Sequence, residues 1–318
     1  MKNLSFEKVQ FLTVDEEYQG QRIDNFLKTL LKGVPKSMIY RVLRKGEVRV
    51  NKKRVKPEYK LQPSDKLRIP PIRVSQEKDG PCANLSKVQN LEKHIVYEDQ
   101  KLLVLNKPHG MAVHGGSGQS FGVIEALRSL RPTEQFMELV HRLDKETSGC
   151  LVIAKRRSVL RSLHSQLREK TTTKKYYALV AGRWPKHRNK VKAPLHKNVL
   201  HSGERIVRVS TDGKPSETLY KLLESFENAS LIEAMPITGR THQIRVHCQH
   251  AGHPILMDDK YCEQDVNQDA KSRGLYRMFL HAHEISFNDH ESGKLRVFNA
   301  PLESSLEAYL KTLRNLAG

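Results

Sequence analysis

Cysteine is scarce in this chain. It occurs four times in 318 residues, at Cys82, Cys150, Cys248 and Cys262, with no paired spacing. That argues against a disulfide framework and leaves reduced thiols in a cytoplasmic protein as the simplest account. Long apolar runs are missing too: none approaches membrane-spanning length, and Met1-Lys2-Asn3-Leu4-Ser5-Phe6-Glu7 lacks the apolar core of a signal peptide. Aromatic residues make up only 6%, with a single tryptophan. Acid is the deficit that says most. Thirty-five Asp and Glu stand against 55 Lys and Arg, a net charge of +20. Such a surplus describes partners rather than fold and favours a polyanion such as nucleic acid. A membrane surface would also attract it, but no long amphipathic helix with a basic polar face is present. With 38% apolar residues and a mean hydropathy of −0.59, the chain reads as polar, yet long enough for one large domain plus a small one.

The charge is not spread evenly. Residues 36–73 carry 13 basic and 3 acidic side chains, half of the chain's surplus in 38 positions. Ile23, Phe26, Leu27, Leu30 and Leu31 recur at helical spacing, as do Ile39, Val42 and Leu43, with Pro35 between the two helices and Gly46 after the second. Val48, Val50 and Val55 flank a turn at Asn51-Lys52-Lys53, predicting a hairpin. A solvated basic face would explain the charge alone; its concentration in one small module makes phosphate contact the better reading. Residues 1–20 read as a tail and 74–93, with Asp79-Gly80-Pro81, as a linker.

From about His94 a second domain begins. Strands are expected at Ile95–Tyr97, Leu102–Leu105, Phe136–Val140, Cys150–Ala154, Tyr177–Ala181, Val207–Ser210, Thr218–Leu223, Leu231–Met235, Ile285–Phe287 and Leu295–Phe298. Helices are expected around Val123–Leu130, Val159–Leu167 and Leu306–Leu313. The strands cluster without regular strand–helix alternation, so the fold class is α+β: a small basic module followed by a domain on a mixed, mainly antiparallel sheet.

Between two of those strands lies His141-Arg142-Leu143-Asp144-Lys145-Glu146-Thr147-Ser148-Gly149. A surface turn would contain such residues for conformational reasons alone. Its company is more telling: Lys174-Lys175-Tyr176-Tyr177-Ala178-Leu179-Val180-Ala181-Gly182 follows, and later Thr238-Gly239-Arg240-Thr241-His242-Gln243-Ile244-Arg245-Val246-His247. Together, in this order, the three stretches resemble the active-site motifs of the RluA-type pseudouridine synthases, and the nearest branch looks like RluC, which acts on large-subunit ribosomal RNA. The basic first module resembles an S-four-type RNA-binding domain, with Lys36, Arg41, Arg44, Lys45, Lys52, Lys53 and Arg54 as its RNA-binding candidates. The domain plan is then a tail (1–20), an S-four-type module (21–73), a linker (74–93) and a catalytic domain (94–318).

The resemblance implies a catalytic domain on one long sheet. It also implies isomerisation of uridine, which breaks the bond from ribose carbon 1′ to the ring and remakes it through carbon 5. No cofactor, redox group or metal is needed, and a monomer suffices. Asp144 is the implied nucleophile or general base; attack at carbon 1′, addition to carbon 6 and removal of the 2′ proton all remain open. Tyr176 is the candidate to stack on the uracil, whereas Tyr177, next along the strand, should face the other way. Arg245 is the expected ion-pair partner of Asp144, on a helix capped by Thr241 and ended by Gly252. Arg142, Arg240 and Ile244 are the substrate-binding candidates, Arg142 for filling the space left by an extruded base.

Two further stretches match the family without evident chemistry. Asn106-Lys107-Pro108-His109-Gly110-Met111-Ala112-Val113-His114-Gly115-Gly116 reads as a tight loop near the cleft wall. In Gly252-His253-Pro254-Ile255 with Asp258 and Tyr261, Met257 and Cys262 stand where many relatives carry Gly, which puts the local loop shape in question. His242, His247, His250 and His253 raise the alternative of a zinc site, but their spacings of 5, 3 and 3 are not the i, i+4 pairing of helical metal ligands. A glycosidase would need a second carboxylate flanking the bond, and only Glu146 lies nearby.

Overall fold

The computed structural model describes residues 8–31, 33–72, 85–115, 121–199 and 205–317. The chain divides into two compact units, Met1–Gly80 and Pro81–Gly318.

The first unit holds strand β1 (Gln10–Thr13), helices α1 (Ile23–Leu30) and α2 (Lys36–Arg44), and strands β2 (Arg49–Val50), β3 (Lys53–Arg54) and β4 (Lys66–Ile69). The apolar stripes of both helices, Ile23, Phe26 and Leu27 with Ile39, Val42 and Leu43, close over Val48, Val50, Leu61, Leu67 and Ile69. The strand order is β1-β4-β2-β3. Part of the expected tail thus belongs to the sheet, where Gln10–Thr13 pairs antiparallel with Lys66–Ile69. Asn51 and Lys52 take left-handed backbone angles in the hairpin turn. Buried Asp65 holds that turn by accepting from Asn51 Nδ2 at 2.7 Å and Tyr59 Oη at 3.0 Å.

The second unit begins, within the described residues, with a short helix α3 (Ser86–Gln89) and a 3-10 turn over Asn90–His94, whose Val88 and Leu91 enter the main core. The end of the expected linker is therefore helical and packed; its residues 74–84 lie outside the described ones. Then follow β5 (Ile95–Glu98), β6 (Leu102–Lys107), α4 (Val123–Leu130), β7 (Glu138–Leu139), β8 (Ser148–Ala154), α5 (Arg157–Glu169), β9 (Thr173–Ala181), β10 (Lys190–Lys192), β11 (Leu195–Val199), β12 (Arg205–Val209), β13 (Glu217–Ser225), β14 (Ala229–Pro236), α6 (Gln243–His250), α7 (Gln264–Ser272), β15 (Leu280–Asn288), β16 (Leu295–Asn299) and α8 (Ser304–Ala317).

One mixed sheet dominates, in the order β10-β13-β14-β9-β15-β8-β6-β5, with β16 added to β15 and β7 to β8. All its pairings are antiparallel except β15 with β8. The α+β class and the mainly antiparallel sheet are as the strand pattern predicted, and its length is as the resemblance implied. Both faces of its centre are covered, which is why the strands read as unbroken apolar runs. On β8, Leu151 and Ile153 pack under α4, while Cys150, Val152 and Ala154 pack under α5. Helices α7 and α8 cover the neighbouring stretch around Leu179 and Leu231. Of the expected strand Phe136–Val140, only the two residues of β7 pair as strand.

Candidate active site

The Asp144 turn is held from three sides. Inside it, the Thr147 amide donates to the Asp144 carbonyl at 3.2 Å. On the approach, the Val152 amide donates to His141 Nε2 at 3.2 Å. From the 106–111 loop, the Gly110 amide and the Lys107 ammonium both donate to the Lys145 carbonyl at 3.0 Å. Lys107 is fully buried and also bonds the carbonyls of Pro108 and Met111. Burial, then nearby Arg277, pushes its pKa down to about 7. The loop that looked chemically idle is a clamp on the turn.

The far end of the turn is tied to β15. Ser148 Oγ accepts from Arg277 Nη2 at 2.8 Å and donates to His281 Nδ1 at 2.9 Å, while His281 Nε2 donates to the Ala300 carbonyl at 3.1 Å. Gly149 has φ +110, and a Cβ there would stand 2.2 Å from the Ala282 carbonyl oxygen. Only glycine allows β8 and β15 to approach this closely at that angle.

Three side chains converge on Asp144, whose carboxylate is 34% exposed. Arg245, on α6, brings Nη1 to 3.8 Å from Asp144 Oδ2. Its other edge is committed elsewhere: Nε and Nη2 each bond buried Asp258 at 2.6 Å, and Tyr261 lies under the guanidinium at 4.9 Å. Burial disfavours the charge on Arg245, but Asp258 and then Asp144 outweigh it and keep the group above its ordinary range. His242 Nε2 lies 3.9 Å from the same carboxylate oxygen. Tyr176, from β9, shares a buried cluster with Leu143 and Ile244, and its ionisation is driven upward by burial first and by the Asp144 charge second. Its hydroxyl has no hydrogen-bond partner among the described residues, and the residue as a whole is 8% exposed. Tyr177 points to the opposite face and stacks on His283 at 3.7 Å.

This arrangement is shared with known proteins. Residues 101–250 match the RNA pseudouridylate synthase family, and residues 21–67 match the S4 domain. The ribosomal large subunit pseudouridine synthase C of Pasteurella multocida (strain Pm70) is 60% identical over 309 residues, 97% of this chain and 95% of that one. The protein of the same name from Escherichia coli (strain K12) is 58% identical over 97% of each chain. The solved structure of human RNA Pseudouridylate Synthase Domain Containing 4 aligns with a TM-score of 0.60 at 26% identity, over 72% of this chain and 95% of that chain. The chain belongs to the RNA pseudouridylate synthase family. It is an isomerase.

The synthase brings Asp144, Tyr176, Arg245 and Ile244 together as the motifs suggested. Arg142 is exposed with no ion pair among the described residues, and exposed Arg240 bonds the Pro215 carbonyl at 3.3 Å. Thr241 does not cap α6. His242 occupies the position before the helix at φ +53, and the Gln243 side chain accepts from the Arg240 amide at 3.1 Å instead.

Asp258 and Tyr261 were matched without a role, and the structure supplies one. The signal was present: Asp258 is the first of two acids directly after the apolar run Ile255-Leu256-Met257, where an ionised group requires a buried partner. Met257 does adopt the left-handed angle that Gly takes easily, φ +62, and its amide is held by Asn267 Oδ1 at 2.7 Å. The loop keeps its shape at the cost of some strain.

The histidines of the synthase face different partners. His247 is enclosed with Thr218, Ser216 and the Ala193 carbonyl, His250 is exposed, and His253 bonds the Ala181 carbonyl. No group of three or more His, Cys, Asp or Glu among the described residues is placed to hold a metal ion. Glu146, the acid nearest in sequence to Asp144, bonds His109 at 2.7 Å. The seven basic candidates of the first unit are exposed, on or just after α2 and around the β2–β3 turn.

Proposed function

We propose that the protein converts uridines of large-subunit ribosomal RNA to pseudouridine, with Asp144 as the catalytic carboxylate. The substrate reading rests on relatives named for that activity at 58–60% identity over nearly the whole chain, and on the +20 charge. The chemical reading rests on one observation: a partly exposed carboxylate facing the free edge of a guanidinium that is otherwise locked to Asp258.

Asp144 opens the reaction at the ribose, by attack on carbon 1′ or by taking the 2′ proton. Either route requires an ionised carboxylate, and Arg245 favours that form. The electron pair of the broken bond stays with the uracil, which turns over Tyr176 and bonds carbon 1′ through carbon 5 as Asp144 leaves that carbon, or as the 2′ proton is returned; carbon 5 then loses its proton and nitrogen 1 gains one. A uridine in structured RNA reaches this cleft only by leaving its stack. Arg142 fills the vacated space in this reading, and Arg240 touches phosphate; the exposure of both side chains supports it. The first unit anchors the RNA through Lys36, Arg41, Arg44, Lys45, Lys52, Lys53 and Arg54, and the unit from Pro81 to Gly318 carries the chemistry. Every residue of the proposed chemistry comes from one chain, so a monomer in the cytoplasm is sufficient, and no step calls for a cofactor.

Mapping pseudouridines in cellular RNA with and without the protein tests this. Sites in large-subunit RNA that disappear without the protein, and return with the parent chain but not with Asp144→Asn, are expected. Unchanged maps would refute the proposal.

A further inference from the structure

His242 is a non-glycine residue in a left-handed conformation, φ 53 and ψ 20, directly before α6. That conformation costs an ordinary residue about 1–2 kcal/mol, and glycine would take it freely. Strain of this kind persists where the side chain is needed.

The hydrogen bonds around its ring define which nitrogen carries the proton. Tyr261 Oη lies 2.7 Å from His242 Nδ1 and also accepts the amide hydrogen of Val207, on β12, at 3.0 Å. With that acceptor role filled, the Tyr261 hydrogen is directed to Nδ1, for which no other acceptor competes among the described residues. Nδ1 therefore accepts, and the hydrogen of the neutral ring sits on Nε2. Burial, reinforced by Arg245 and Lys260 and opposed by Asp144 and Asp258, pushes the pKa of His242 down to about 4, so the ring is neutral at physiological pH.

Nε2 faces Asp144 Oδ2 at 3.9 Å, the same oxygen that Arg245 Nη1 approaches at 3.8 Å. No hydrogen bond to Oδ1 is formed among the described residues, and the two ion-pair approaches are both to Oδ2. Catalytic contacts of this length commonly shorten when substrate binds.

We propose that His242 is a positioning residue for Asp144: its Nε2–H joins Arg245 in holding Oδ2, which leaves Oδ1 as the oxygen that reacts with the nucleotide. The inference rests on Asp144 being the catalytic carboxylate. A neutral donor suits the task. A second cation would stabilise the carboxylate further and make it a poorer base and nucleophile, whereas an N–H of fixed direction orients it with less loss of reactivity. The chain Val207–Tyr261–His242 ties that direction to the β11–β12 hairpin, so the donor is set before substrate arrives.

The test uses the full-length protein with ribosomal RNA fragments under single-turnover conditions. His242→Phe keeps a flat ring without a donor and is expected to slow the chemical step roughly 10²-fold, the usual effect of removing one aimed donor, with RNA affinity within about twofold. His242→Gln, whose amide can place an N–H near the Nε2 position, is expected to recover most of that loss. Nitrogen NMR of the parent protein at neutral pH is expected to show a single ring proton, on Nε2. That measurement stands even if a variant fails to fold. Parental rates for His242→Phe while Asp144→Asn is inactive would overturn the role of His242 alone, as would a proton on Nδ1. Activity in Asp144→Asn would instead overturn the reading of the site.

Discussion

Arg245 and Asp258 form a doubly bonded pair, each contact 2.6 Å, with both side chains removed from water. The geometry leaves one guanidinium nitrogen, Nη1, turned toward Asp144. Removing one member of such a pair strands a buried charge. Asp258→Ala should therefore lower stability by about 3–5 kcal/mol, read as a fall in the urea midpoint, and Asp258→Asn by less. An unshifted midpoint for Asp258→Ala would show that the pair is not the anchor described.

Asp144→Asn removes the charge and keeps the shape of a partly exposed side chain. Release of tritium from carbon 5 of labelled uridine should fall at least about 10³-fold, as expected for loss of the reacting group. RNA affinity should change by less than a factor of a few. Retained tritium release would remove Asp144 from its role.

On the proposed reading Tyr176 contributes through its ring. Its hydroxyl is held in the protonated form by burial and the Asp144 charge. Stacking of one base on an aromatic ring is worth about 1–3 kcal/mol, so Tyr176→Ala should cost roughly 10- to 100-fold in turnover. Tyr176→Phe should remain within about tenfold of the parent. Equal losses in the two variants would point to the hydroxyl rather than the ring.

Acid should destabilise the catalytic unit through its enclosed histidines. Burial pushes His281 down to about 4 from 6.5 and moves His247 in the same direction. Above pH 6.5 these rings are neutral whether folded or unfolded, and stability does not depend on them. Below that value the unfolded chain takes up protons that the folded state refuses, so stability falls. The slope is about 1.4 kcal/mol per pH unit for each histidine, continuing for His281 to about pH 4. Urea midpoints measured from pH 7.5 to 4.5 would check this, and a flat profile would contradict the neutral rings.

Charge on the first unit should set RNA affinity without choosing sequence. Lys52 and Lys53 project from the β2–β3 turn that Asn51 and Asp65 hold in place. Changing both to Gln should weaken binding to all RNAs alike and reduce the salt slope of log affinity by about 1.5. A slope identical to the parent's would place the phosphate contacts elsewhere.

Much of the fold was legible because its determinants are local. Apolar spacing marked α1, α2, α4, α5 and α8, and unbroken apolar runs marked β6 and β8. Where the reading differed, distant packing was responsible. Residues 86–93 looked like linker because their two core residues, Val88 and Leu91, are too few to show a period. Thr241 looked like a cap because its residue type fits, yet the strained backbone at His242 moved the helix start past it.

The sequence by itself determined which residue types could carry the chemistry: one acid in a turn, one tyrosine on a strand, one arginine on a helix, each within a long motif. The tertiary structure alone decided how they are aimed. That Arg245 spends two nitrogens on Asp258, that Tyr261 orients His242, and that Lys107 clamps the turn all depend on side-chain directions across elements far apart in the chain. Hydrophobic period and turn chemistry act between near neighbours and specify elements. Hydrogen-bond geometry between remote residues exists only once those elements have packed.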